Sequence, residues 1–260
     1  VFAALAWKGK RRIVALTVFC VAVVSYLGVE TVEKRVIMPS TLECVVTDTE
    51  HGQCVILRNG NETAVVDCGM DCADDCVRWL RSHNIHSVDR LVLTHYRPVY
   101  SGDADKLNSL IEIQSSVGMT GTDAPTFLTE KYTTEKSFLL GNATLTLVPE
   151  PAEKGSKGFV VICSLGGKHV VISAGADADG TREAIRRLAS ERVSLLILGR
   201  RGAKPSTSDD LLSRTDAVAV SVNRYGLAKE TLVRIVDMNL KLYRTDCDGT
   251  IEMRFSNGKD

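Results

Sequence analysis

The stretch Arg90-Leu91-Val92-Leu93-Thr94-His95 reads as a buried strand that ends on a threonine and a histidine. An unbroken apolar run of that length, without polar alternation, suits a strand covered on both faces. Upstream, residues 42–48, 53–58 and 63–67 read as strands. The last two are joined across Arg58-Asn59-Gly60-Asn61, an Asn-Gly hairpin signal. Residues 72–83 read as a helix with Cys72, Cys76 and Leu80 on one face. Downstream, strands are expected near 143–149, 159–164 and 168–173. Helix and strand then alternate: helix 180–190, strand 193–198, helix 208–213, strand 216–222, helix 228–237, and strands 240–244 and 250–255. Hairpins followed by strand–helix alternation predict a layered α/β domain with mixed sheets. Residues 149–155 read as a loop.

Composition bounds the function. The chain has 260 residues, enough for one large domain, or one domain and an appendage. With 44% hydrophobic and 25% charged residues, disordered, collagen-like and low-complexity classes are excluded. Lys+Arg and Asp+Glu are both 32, so no global basic footprint marks a nucleic-acid binder, although a local patch is compatible with that balance. Aromatics are only 5%, too few for a surface built to stack many bases.

The first residues have a different character. Val1–Trp7 is apolar, Lys8, Lys10, Arg11 and Arg12 form a basic knot, and Ile13–Val29 carries no charge. A signal peptide would place the basic residues first and a small-residue cleavage site after the apolar run. A buried soluble helix is the other reading, but Val, Ile and Leu surround the segment with no polar face. The pattern predicts a transmembrane helix at about 13–29, within a membrane region spanning 1–37. Tyr26 lies near its far interface and the basic knot faces the cytoplasm. Residues 38–260 would form the second domain, outside the membrane.

A series of short motifs runs through that second domain: Asp48-Thr49-Glu50-His51-Gly52-Gln53, Ala64-Val65-Val66-Asp67-Cys68-Gly69, Leu91-Val92-Leu93-Thr94-His95 and Val171-Ile172-Ser173-Ala174-Gly175. Leu198-Gly199-Arg200-Arg201-Gly202 follows, then Asn223-Arg224-Tyr225-Gly226 and Tyr243-Arg244-Thr245-Asp246-Cys247-Asp248-Gly249. In order and spacing this series resembles the C-terminal metallo-β-lactamase-like domain of the ComEC family of DNA-internalisation membrane proteins. The resemblance covers about residues 40–255. It implies a four-layer αβ/βα sandwich preceded by a transmembrane helix, with a site at the strand ends. In active relatives that site holds two divalent metal ions, which activate water and clamp a phosphodiester.

The ligand positions implied by the resemblance are mostly replaced. His95 stands at the first; Arg97, Val99 and Tyr100 occupy the next His, Asp and His positions. Ala176 occupies the bridging Asp position, with Asp177 one residue late. Arg200 and Arg201 stand at a His-His pair, and Leu227 at a further His. Arginine offers a metal no lone pair, and valine and leucine offer no donor atom. The expectation is therefore a degenerate site, with no catalytic residue, metal or other cofactor. His95, Arg97, Arg200 and Arg201 remain as candidate phosphate-binding residues. The opposing reading has these arginines solvated, or paired with Asp67, Asp103 or Asp177.

Eight cysteines are present. Cys68-x3-Cys72-x3-Cys76 has helical rather than zinc-ligand spacing, which favours packing. Cys44 and Cys54 fall on adjacent expected strands, where an oxidising location would permit a disulfide. Ser208, followed by Asp209 and Asp210, reads as a helix N-cap. Neither a nucleophile elbow nor a Walker loop is found.

The resemblance implies the C-terminal portion of a ComEC-like competence protein in the bacterial inner membrane, acting in DNA uptake, its C-terminal domain extracytoplasmic. Expected partners are single- or double-stranded DNA, the membrane and the remaining channel region of the same protein. Two alternatives stay open: an active metal-dependent phosphodiesterase or nuclease with an atypical site, and a structural or partner-binding ectodomain.

Overall fold

The structure, a computed structural model, describes residues 14–26, 28, 40–151, 158–199, 202, 207–221 and 226–257. Among the described residues, fourteen strands form two seven-stranded sheets. The first contains β1 (Thr41–Val46), β2 (Val55–Asn59), β3 (Glu62–Val66), β4 (Ser87–Val92), β5 (Glu112–Met119), β6 (Glu130–Tyr132) and β14 (Ile251–Ser256), in the order β14-β1-β2-β3-β4-β5-β6. The second contains β7 (Lys136–Leu140), β8 (Ala143–Pro149), β9 (Phe159–Leu165), β10 (Lys168–Ile172), β11 (Leu195–Leu198), β12 (Ala217–Val220) and β13 (Lys241–Arg244), in the order β13-β12-β11-β10-β9-β8-β7. Each sheet is antiparallel at its hairpin end and parallel where helices cross over.

Strand alternation builds the layers. Leu42, Cys44 and Val46 of β1, and Val55 and Leu57 of β2, face Phe159, Val161 and Cys163 of β9 and Val170 and Ile172 of β10 in one core between the sheets. The intervening residues point the other way. Val45, Ile56, Val65 and Leu91 pack under α2 (Ala73–Ser82) and α4 (Ala104–Leu110). Val160, Ile162, Val171 and Leu196 pack under α5 (Ala178–Leu188), α6 (Asp209–Ser213) and α7 (Lys229–Asp237). The result is helix, sheet, sheet, helix. Each fully buried Val, Leu, Ile or Phe contributes about 1.5–3 kcal/mol. Two short helices, α3 (Pro98–Ser101) and α8 (Thr245–Asp248), follow strand ends.

The expected elements match in type. Their ends agree to within two residues, except that β4 begins at Ser87 rather than Arg90. The hairpin turns through Gly60 at φ 64°, the left-handed conformation that glycine takes freely. Ser208 caps α6 by accepting from the Leu211 N–H. Residues 104–140 carried no expectation, yet they form α4, β5, β6 and β7. The first half of β5, Glu112-Ile113-Gln114-Ser115, is polar and partly exposed. Its strand state comes from pairing with β4 and β6 rather than from an apolar run.

One expectation changes, and another is not shown among the described residues. Cys44 lies in the core between the sheets and Cys54 in the core under α2, on opposite faces of one sheet, so they cannot bridge. Both are free. In the expected membrane segment, residues 14–26 form helix α1, with exposed apolar side chains. No helix among the described residues is long and apolar enough to cross a membrane. Positions 13, 27 and 29 of that segment lie outside the described residues.

Candidate functional site

The site forms where β3 and β4 end. Asp67 follows β3 at φ 62°. It is fully buried and receives the start of the next segment: the Thr94 N–H donates to Oδ1 at 2.8 Å, and the Thr94 hydroxyl lies 2.9 and 2.8 Å from the two carboxyl oxygens. Burial pushes the Asp67 carboxyl well above its ordinary range, opposed by the two Thr94 hydrogen bonds. Thr94 hands the chain of bonds on, since its hydroxyl lies 3.0 Å from His95 Nδ1. On the far side of the ring, Nε2 lies 3.1 Å from Glu150 Oε1. The His95 and Glu150 side chains are only 2% and 5% exposed.

Close packing fixes the ring. A Cβ at Gly158 would sit 2.4 Å from His95 Cε1 and Nε2, and one at Gly175 would sit 2.7 Å from His95 Cδ2. Only glycines allow the imidazole between them. The Tyr100 ring tilts against it at 5.4 Å between centroids. Glu150 is held in turn by its N–H, which donates to Gly158 O at 3.1 Å. Its stem lies against Gly180 in the first turn of α5, the end of a helix that favours a carboxylate.

Glu150 was missed in the sequence, where it reads as part of a loop. Its only local signal is a carboxylate between Pro149 and Pro151 at a strand end, and nothing in that spacing points to His95.

The other expected positions separate. Arg97 precedes α3, exposed, and lines a cleft of about 390 Å³ with His95, Tyr96, Met119, Thr120 and Asp123. Tyr96 spans one wall and donates its hydroxyl to Met119 O; burial pushes its pKa up to about 12. Val99 is 40% exposed, whereas Tyr100 is buried. Ala176 is buried beneath α5. Leu227 is half-buried and packs with the α7 core.

Asp177 lies at the start of α5. It caps α5, accepting from the Asp179 and Gly180 N–H groups at 3.0 and 3.2 Å. The opposing reading had Arg97 solvated or paired with Asp67, Asp103 or Asp177; Arg97 is exposed, Asp67 holds Thr94, and Asp103 accepts from the Ala73 N–H at 3.3 Å. Arg200 and Arg201 lie outside the described residues.

The donor set does not fit a pair of divalent ions. Both His95 nitrogens face partners inside the protein, Nδ1 the Thr94 hydroxyl and Nε2 the Glu150 carboxyl. Arg97, Val99 and Ala176 bring no donor with a lone pair suited to a metal. Among the described residues, no group of three or more His, Cys, Asp or Glu is arranged to hold a metal ion.

No family model matches the chain, and no curated protein sequence does. Solved structures do match. YhfI from Bacillus subtilis, a metallo-β-lactamase fold protein, superposes with a TM-score of 0.60 at 12% identity, over 83% of this chain and all (100%) of that one. Igni18, a metallo hydrolase from Ignicoccus hospitalis, gives 0.56 at 14% identity, over 82% and 100% of the two chains. A diphosphatase of the PhnP family gives 0.54 at 14% identity, over 83% and 98%. The chain therefore has the metallo-β-lactamase fold, an architecture it shares with metal-dependent hydrolases. At these identities the likeness concerns the fold alone.

Proposed function

We propose that this chain is the C-terminal portion of a ComEC-like competence protein, which acts in DNA uptake across the bacterial inner membrane. In this reading residues 1–37 belong to its membrane region, with a transmembrane helix at about 13–29. Residues 38–260 form an extracytoplasmic metallo-β-lactamase-fold domain. That domain does not hydrolyse DNA; it holds the phosphate backbone or supports the channel region of the same protein.

The observation that carries the reading is the engagement of His95. The one ligand residue kept from the family pattern is tied at both nitrogens to Thr94 and Glu150. Beside it, exposed Arg97 stands at the rim of the cleft with no ion-pair partner among the described residues. A guanidinium there suits phosphate contact. Arg200 and Arg201 would add to it.

The test uses the full chain in detergent with labelled single- and double-stranded DNA. Arg97→Ala combined with Arg200→Ala and Arg201→Ala is expected to weaken binding at low salt and to flatten its salt dependence, because each lost phosphate contact releases fewer counterions. Unchanged affinity would overturn DNA binding by this cleft and leave the supporting role.

A second reading, an active metal-dependent hydrolase, is favoured by what the structurally similar proteins are. Stoichiometric manganese or zinc together with DNA cleavage by the purified chain would establish it over the first.

A further inference from the structure

Four buried thiols meet behind the site, where the functional reading makes no use of them. Cys54, Cys68, Cys72 and Cys76 are all fully buried and free. They share one core with the inner face of α2. The backbone brings the first two together. β2 and β3 pair with Val55 opposite Val66, but beyond that pair the Gly69 N–H donates to Gln53 O at 3.1 Å. The register has slipped by one residue, and the extra residue is Asp67, at φ 62°, as in a β-bulge. Cys54 therefore lies directly across from Cys68.

The backbone bonds recorded for this pair go elsewhere. The Cys54 carbonyl accepts from the Thr47 N–H and hydroxyl, and the Cys68 N–H donates to Tyr100 O. Cross-strand neighbours that do not bond each other through the backbone have the closest side chains. The Cys54 thiol is in hydrogen-bond contact with the thiols of both Cys68 and Cys76. Cys72 is turned aside, its Sγ 3.5 Å from Met70 O.

We propose that Cys54 and Cys68 are a redox pair that closes to a reversible disulfide under peroxide, with Cys76 as the alternative partner of Cys54. The reaction consumes one hydrogen peroxide. The Cys54 thiolate attacks one peroxide oxygen, the O–O bond breaks, and the departing hydroxide takes up a proton to leave as water. This forms a sulfenic acid. The Cys68 sulfur then attacks the Cys54 sulfur, the S–S bond forms, and the sulfenic oxygen leaves as a second water with the Cys68 proton. Two thiols are oxidised and one peroxide is reduced to two waters.

The roles follow from contacts. Hydrogen bonds from Cys68 and Cys76 hold the Cys54 thiol well below the ordinary range against its burial. The same contact with Cys54, with burial, pushes Cys68 and Cys76 upward. Cys54, in contact with both Cys68 and Cys76, is placed to form the link with either.

The test treats the full chain in detergent with stepwise hydrogen peroxide, alkylates the remaining thiols in denaturant, and maps the products by mass spectrometry. Cleavage before Asp71 and Asp75 puts Cys68, Cys72 and Cys76 on separate peptides. The expected product is a Cys54–Cys68 link lacking two hydrogens, reversed by a dithiol reductant. In Cys68→Ser the link is expected to move to Cys76. The wild-type map decides the matter even if that variant fails to fold. Four thiols that all remain alkylatable would overturn the proposal. So would a link through Cys72, over-oxidation of Cys54 with no link, or stoichiometric zinc in the untreated chain.

Discussion

Replacing Glu150 with alanine tests whether the His95–Glu150 pair holds the site together. The two side chains are 2% and 5% exposed and 3.1 Å apart. Alanine would leave the ring Nε2 facing a space with no acceptor and no ready access to water. An unsatisfied buried hydrogen-bonding group costs about 1–3 kcal/mol, and a buried charge stripped of its partner about 3–5. A loss of about 3 kcal/mol is expected, since the pair lies in the near-dry gap between Gly158 and Gly175. In a domain of this size each kcal/mol moves Tm by about 2–4 °C, so the expected fall is about 6–12 °C. The assay is thermal and urea unfolding followed by near-ultraviolet circular dichroism, on Glu150→Ala, His95→Ala and the double variant. The coupling term of the cycle is expected to exceed about 1.5 kcal/mol. Strictly additive losses, with coupling below about 0.5 kcal/mol, would refute the reasoning, because the two groups would then not be stabilising one another.

Three further outcomes follow from the same geometry. Asp67 has a folded-state pKa raised above its ordinary value, so the stability it contributes is full below about pH 4 and is lost as pH rises through the raised value. Asp67→Asn should remove that decline from a plot of Tm against pH, and an unchanged slope would show that another group titrates there. Gly175→Ala places a methyl 2.7 Å from the His95 ring and should cost about 1–3 kcal/mol in urea unfolding; wild-type stability would mean the ring is free to move. Ser208→Ala removes the cap of α6 and should cost about 1 kcal/mol by the same measurement, with Ser208→Asp close to neutral.

The sandwich was legible because its strands carry the pattern on their own. Leu195-Leu196-Ile197-Leu198 and Phe159-Val160-Val161-Ile162 read as strands covered on both faces, and each proves to feed two cores at once. The segment 104–140 was opaque for the opposite reason. Ser115 and Ser116 of β5 are held by bonds to Asp89, Phe127 and Thr129, which are remote in sequence. Of the site, the sequence showed His95 at the end of an apolar strand. The completion of the site was not legible, because Glu150 reaches His95 across 55 residues of chain and leaves no spacing to find. Asp177 was ambiguous for a local reason: an aspartate one residue before a helix is a cap as readily as a ligand, and here it accepts from the N–H groups of Asp179 and Gly180.

The outermost strand of the first sheet carries a consequence for how such a domain can be handled. Thr41 of β1 lies opposite Ser256 of β14, and the Asn257 N–H donates to Ser40 O at 2.7 Å. The chain thus enters and leaves the sandwich side by side, about one strand spacing, or ~5 Å, apart. A loop of another protein could be cut at a single point and this sandwich set into the gap, its two ends meeting the host almost where the host was opened. The same closeness makes the β1–β14 edge a clasp. A force drawing residues 41 and 256 apart would open that pair first, rung by rung, before it reached the cores beneath the helices.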